Sequence, residues 1–159
     1  MRHVMSVLVQ NKPGVLSRVT GLVSRRGFNI DSLSVAPTED PTKSRITAVV
    51  EAEDVAYEQI TKQLNKLVCV HKITDLTEDE AIERELVLFR VAVEPERRSE
   101  VIEIANVFRA KIVDVGHKSL TIEATGTQSK LAGLEELLKP YNLAEITRTG
   151  VTAITRSAK

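Results

Sequence analysis

The residues best suited to chemistry in this chain lie between an apolar strand ending at Gln10 and an amphipathic helix beginning after Pro13-Gly14. Lys12 precedes a proline and is biased to extended backbone. Pro13 suits a helix start, and Gly14 has no Cβ to hold a small ligand off the main chain. The first-turn amides near Val15 and Leu16 lack intrahelical acceptors and carry the positive end of the helix dipole, which suits a carboxylate. Asn11 adds a side-chain amide that both donates and accepts. A free α-amino acid needs donors for its carboxylate, acceptors for its ammonium and an apolar niche for its side chain. The same residues also fit a plain strand-to-helix turn in which Gly14 relieves strain, because Pro-Gly before a helix is common.

The elements that must position this corner follow from hydrophobic spacing. Val4 to Val9 is short and apolar, as an interior strand is. Leu16, Val19, Leu22 and Val23 recur at helical spacing, and Arg25-Arg26-Gly27 closes that helix. Phe28 to Ala36 reads as a second strand, a polar loop covers Pro37 to Lys43, and Ile46 to Ala52 is a third. Asp54 caps a helix with the stripe Ile60, Leu64 and Leu67, and Val68 to Ile73 is a fourth strand. The order βαββαβ predicts an antiparallel sheet with both helices on one face. In that topology the second strand is an edge. Asn29 stands at its start as an ordinary turn residue would, and Leu33 and Val35 require a cover that a second copy could supply through a two-fold axis.

An acidic stretch from Thr77 to Arg84, with a Thr-x-x-Glu capping pattern at Thr77/Glu80, reads as a linker. The pattern then repeats. Leu86 to Val93 is a strand, and Pro95 opens a helix striped by Val101, Ile104, Val107 and Phe108. Shifted back by 85 positions these fall on Leu16, Val19, Leu22 and Val23, as a duplicated unit would leave them. Lys111 to Val115 and Leu120 to Ala124 form a tight hairpin. Gly126-Thr127 precedes a helix with Leu131, Leu134 and Leu138 that Pro140 ends, and Leu143 to Thr149 closes the unit. The fold class is therefore α+β, two tandem ferredoxin-like domains, with 1–77 as the first, 78–84 the linker and 85–159 the second. The second unit has Glu96-Arg97-Arg98-Ser99 at its first helix start, without a glycine to admit a ligand.

Composition narrows the function classes. The 159 residues carry 22 Lys and Arg against 22 Asp and Glu, so no global field draws nucleic acid or an anionic membrane. The single Cys69 rules out an internal disulfide framework and suits a reducing compartment. No apolar run approaches the ~20 residues of a membrane span, and Met1-Arg2-His3 leads straight into a strand, so a cytoplasmic location is expected. Cys69 and His71, two apart on a strand, would share a face, but lack an orienting third group. His3, His71 and His117 are scattered, which argues against a metal site. The carboxylates Glu78, Asp79, Glu80, Glu83 and Glu85 read as a solvated run, as do Glu135 and Glu136. The two central strands of the first unit carry no aromatic, which argues against an RNA-binding sheet.

The run Asn11-Lys12-Pro13-Gly14-Val15-Leu16-Ser17-Arg18-Val19, with Arg26-Gly27-Phe28-Asn29-Ile30-Asp31-Ser32-Leu33, resembles an ACT domain. Together with Ser44-Arg45-Ile46-Thr47, Phe108-Arg109-Ala110-Lys111-Ile112-Val113-Asp114-Val115 and Arg148-Thr149-Gly150, it is similar over nearly the whole chain to the small regulatory subunits of acetolactate synthase, also called acetohydroxyacid synthase. Asp31 departs slightly from relatives that carry Glu there. The resemblance implies a non-catalytic subunit that forms a homodimer through the ACT domain. It implies activation of a large catalytic subunit and feedback inhibition by a branched-chain amino acid, usually valine. Thiamine diphosphate, Mg and FAD would belong to that partner, and neither nucleic acid nor membrane is implied. The amino acid would lie between the first strand–helix turn of one copy and the second strand of its neighbour. Gly14, Val15 and Leu16 would donate to the carboxylate, Asn11 and Asn29 would hold the polar ends, and Ile30 would line the niche. Two other readings stay open on sequence: a free-standing ACT sensor controlling a different enzyme or a transcription factor, and an acylphosphatase-like enzyme using Arg18.

Overall fold

A computed structural model describes residues 1–76 and 81–157. The first sheet holds β1 (Arg2–Gln10), β2 (Asn29–Pro37), β3 (Lys43–Glu51) and β4 (Val70–Asp75) in the order β2-β3-β1-β4, with all three pairings antiparallel. Its helices are α1 (Val15–Arg25) and α2 (Asp54–Asn65). The second sheet repeats that order as β6-β7-β5-β8, from β5 (Ala81–Val91), β6 (Lys111–Val115), β7 (Leu120–Gly126) and β8 (Leu143–Arg148). Its helices are α3 (Arg98–Val107) and α4 (Gln128–Leu138). The expected α+β class with two ferredoxin-like units stands, β1 and β3 are interior, and β2 is an edge.

Alternation along each central strand builds the cores. Met5, Val7 and Val9 of β1 and Ile46, Ala48 and Val50 of β3 share one face with Val15, Val19, Val23, Tyr57, Ile60 and Leu64 from the helices. In the second unit Val87, Phe89 and Val91 meet Val101, Ala105, Leu131, Leu134 and Leu138. The helix stripes differ from expectation at two positions. Leu16 is 40% exposed and Val107 77%, while Val15 and Ala105 are buried. A shift of 86 rather than 85 superposes the buried pairs Val15/Val101 and Val19/Ala105. Periodicity finds the stripe; which side of it touches the sheet depends on where the turn launches the helix.

The acidic linker reading is corrected where it can be seen. Thr77 to Glu80 lie outside the described residues, but residues 81–84 begin β5, and Glu85 is buried rather than solvated. Glu135 is not free on the surface either, since Arg148 donates to its Oε2 at 3.1 Å while lying 3.7 Å from Glu85 Oε1. Arg148 thus serves two carboxylates, one of them buried. Arg148→Ala is expected to destabilise the second unit by about 1–3 kcal/mol, because it leaves the buried Glu85 carboxylate without its cation, a loss moderated by the half-exposed position of Arg148. Adding Glu85→Gln should recover most of that loss in urea unfolding, and equal stability of wild type and Arg148→Ala would show the pair to be idle.

A further strand, β9 (Thr152–Thr155), was not expected; it pairs with β5 as a fifth strand of that sheet, and its contacts redraw the domains. The chain divides by contact into residues 1–82 with 151–159, and residues 83–150, not into 1–77, 78–84 and 85–159. The last residues belong to the first unit. Val151 and Ala153 pack with Val4, Val49, Leu76 and Ala81, a second core cluster that includes the face of β1 and β3 turned away from the helices. Val151 N–H donates to Ser32 Oγ at 2.7 Å, and Ser34 Oγ donates to Val151 O at 3.1 Å. The departure from the second unit is fixed by Thr149, whose N–H donates to Leu86 O while its Oγ1 accepts from Leu86 N–H. Gly150 follows with φ +87°, a turn that a residue with a Cβ rarely makes. No helix among the described residues is long and apolar enough to cross a membrane.

Candidate functional site

At the β1–α1 corner the main chain turns through Lys12 and Pro13 into Gly14, which adopts φ +84° and stands as the N-cap of α1. Pro13 therefore precedes the helix rather than opening it. Glycine takes this left-handed φ without the strain a side chain would bring. A Cβ built on it meets nothing within 4 Å, so the space beside it is open. No side chain caps α1, and its first turn holds no acidic residue. Val15 N–H turns back to Lys12 O at a long 3.4 Å. The corner therefore presents the positive end of a helix without an internal anion.

Asn11 closes one side of the corner. Its main-chain N–H donates to Thr42 O at 2.8 Å and its Nδ2 to Pro41 O at 3.0 Å, which ties the β2–β3 loop to the end of β1. A carbonyl only accepts, so the amide is oriented with Nδ2 toward Pro41 and Oδ1 left as an acceptor. The loop is itself fixed by Asp40, whose Oδ1 accepts from the hydroxyl and the N–H of Thr42; these two bonds hold its carboxyl below the ordinary carboxylate range. Neither tie to the loop is visible in the spacing of Asn11, because the partners lie some thirty positions on.

The six predicted residues fall into two groups. Asn11, Gly14, Val15 and Leu16 gather where Gln10 pairs with Lys43. Asn29 and Ile30 lie at the other end of the sheet, opposite Glu51 and Val50, beside the pairing of Arg2 with Glu51. The length of β1 separates them, roughly 26 Å at about 3.3 Å per residue. One chain does not bring them together. Ile30 is half-buried against the core, and Val15 is buried within it, so Val15 offers only main chain. Asn29 is exposed, and its Nδ2 donates to Asp31 Oδ1 at 2.9 Å. Asp31 sits at a bulge where the β2–β3 register shifts between Ile30 and Ser32.

The equivalent corner of the second unit is filled by its own side chains. Arg98 donates to Gly116 O at 2.8 Å and His117 O at 2.9 Å, and Arg97 stacks 4.5 Å over the Tyr141 ring. A short 3₁₀ turn, Pro95–Arg97, replaces the glycine launch of α1. Two other sequence candidates come apart. Cys69 precedes β4 and is buried in the core while His71 is exposed, so the pair does not share a strand face. His3 stacks on Tyr57 at 4.0 Å beside a cavity of about 890 Å³ whose lining also includes Asp54 and Asp75. Burial and then Asp75, which accepts the Tyr57 hydroxyl at 3.2 Å, push the Tyr57 pKa up.

Comparison with known proteins places this geometry among relatives. Residues 5–72 match the family described as the AHAS small subunit-like ACT domain, and residues 84–157 match the small subunit of acetolactate synthase. The chain is 53% identical over 157 residues to an acetolactate synthase small subunit of Mycolicibacterium smegmatis, covering 99% of this chain and 92% of that protein. It is 50% identical over 159 residues to a probable acetolactate synthase small subunit of Archaeoglobus fulgidus, covering 100% and 99%. The crystal structure of an acetolactate synthase small subunit from Thermotoga maritima superposes with a TM-score of 0.92 at 40% identity, covering 100% of this chain and 99% of that one.

Proposed function

This chain belongs to the family of acetolactate synthase small subunits, and from that premise we propose that it activates a catalytic large subunit and subjects it to inhibition by valine or another branched-chain amino acid. The chain acts as a non-catalytic homodimer in the cytoplasm. Thiamine diphosphate, Mg and FAD reside in the large subunit, which condenses pyruvate with pyruvate or 2-oxobutyrate.

One observation carries the reading: the residues proposed for the site fall into two groups at opposite ends of a single sheet. Antiparallel pairing of β2 with its copy, about a two-fold axis near Leu33, sets residue 29 of one chain against residue 37 of the other. Pro37 pairs with Ser44, at the same end as Gln10 and Lys43. The operation therefore carries Asn29 and Ile30 of the second copy toward Asn11 and Gly14 of the first. It also covers an edge strand whose Val35 is 41% exposed. The carboxylate of the amino acid meets the uncapped start of α1, Asn11 and the second copy's Asn29 take the ammonium, and Ile30 lines the side-chain niche. Inhibition requires only that the ligand favour one dimer arrangement, and a coupling of ~1–3 kcal/mol gives a 5–150-fold effect.

Two measurements test this. Adding the chain to the large subunit and following acetolactate formation should show activation that valine reverses. Mixing Gly14→Asp with Asn29→Ala chains, each defective alone, should restore roughly a quarter of the wild-type valine sites, because half the dimers are mixed and each mixed dimer holds one intact site. Failure of the mixture to bind valine would mean that each site lies within a single chain.

A further inference from the structure

We propose that Asp31 determines specificity in the amino-acid site, supplying the negative charge that selects an α-ammonium group and fixing Asn29 to accept from it; this rests on the two-copy site proposed above. The bulge between Ile30 and Ser32 leaves Asp31 without a register partner on β3 and turns its carboxylate onto Asn29 Nδ2 at 2.9 Å. A carboxylate only accepts, so the Asn29 amide has one orientation: a hydrogen spent on Asp31, with Oδ1 available. The pair thus offers an acceptor oxygen next to an anion. Glu51, opposite Asn29 on β3, is paired with the α-ammonium of Met1 at 2.5 Å, whereas Asp31 has no ion pair among the described residues. Asp31 therefore brings to this end of the sheet a carboxylate without an ion pair among the described residues, while the start of α1 is positive and uncapped. A zwitterion bridging two copies has one polarity that satisfies both ends: carboxylate to the α1 turn of one chain, ammonium to Asn29 and Asp31 of the other.

Valine titrated into the full-length chain by calorimetry separates charge from shape. Asp31→Asn keeps the size and removes the charge; Asp31→Glu keeps the charge on a longer stem. Asp31→Asn is expected to weaken valine binding about tenfold or more, the scale of a lost charge-assisted contact, while Asp31→Glu stays within about threefold of wild type, with the dimer intact in both by sedimentation. Unchanged affinity in Asp31→Asn overturns the assignment, and so does an equal loss in both variants, which would mark Asp31 as purely structural. Gly14→Asp run alongside distinguishes the premises. If it loses valine and Asp31→Asn does not, only the role of Asp31 fails; if Gly14→Asp binds valine normally, the site itself is misplaced.

Discussion

Replacing Gly14 by aspartate should weaken valine binding by about a hundredfold or more, the cost of setting like charges together at an anion site. The fold should survive. A Cβ at Gly14 enters open space, and aspartate tolerates the left-handed φ of +84° better than most residues. The new carboxylate also lies at the start of an uncapped helix, where a negative charge is favoured by about 0.3–1 kcal/mol, offsetting much of the backbone strain. That favourable placement is what defeats the ligand. The variant carries its own anion where the amino acid would bring one, at an intramolecular concentration that free valine cannot match. Gly14→Ala separates the effects: it imposes strain of about 1–2 kcal/mol without charge and should cost no more than about tenfold in affinity. Calorimetry reports binding, and reconstituted enzyme should keep its activation while losing valine sensitivity. Undiminished valine affinity in Gly14→Asp would remove the α1 turn from the site.

Removing residues 151–159 should destabilise the first unit by roughly 3–5 kcal/mol, most of it apolar surface returned to water. Val151 is 1% exposed and Ala153 8%, and their loss uncovers Val4, Val49, Leu76 and Ala81 on the face away from the helices. The Ser32 and Ser34 hydroxyls lose their partners on Val151 in the same step. For a unit of this size that energy corresponds to a Tm lower by roughly 10–20 °C or more. Hydrogen exchange should show the loss in β1 and β3. Val151→Asp provides a version that keeps the chain length and places a charge in the same cluster; it should destabilise in the same direction. A change below about 0.5 kcal/mol in both would mean that β9 is merely resting on the sheet.

The truncation prediction had no basis in the linear pattern. Thr152–Thr155 is short with only Ala153 buried, and the cluster that Val151 and Ala153 join is made of residues seventy or more positions earlier. By contrast, the amphipathic period of α1, the Gly27 stop and the helix that follows Gly126-Thr127 could be read directly, because each depends on neighbours close in the chain. Glu85 shows the same limit. Its carboxylate neighbours in sequence made it look solvated, but the strand carries it inside, and the cation that answers it, Arg148, arrives on β8.

The sequence by itself determined the two βαββαβ units, the glycine corner after β1 and, through the order of the elements, the edge position of β2, since these rest on local period and turn chemistry. Only the tertiary structure decided that Asn11 is latched to the Pro41 carbonyl, that Asp31 holds Asn29, that Val151 packs back on the first unit, and that the predicted site residues lie at two ends of one sheet. The physical reason is common to all four. Hydrogen-bond direction, burial and strand register are set by residues distant in sequence, and no local preference of the chain encodes where those residues will be.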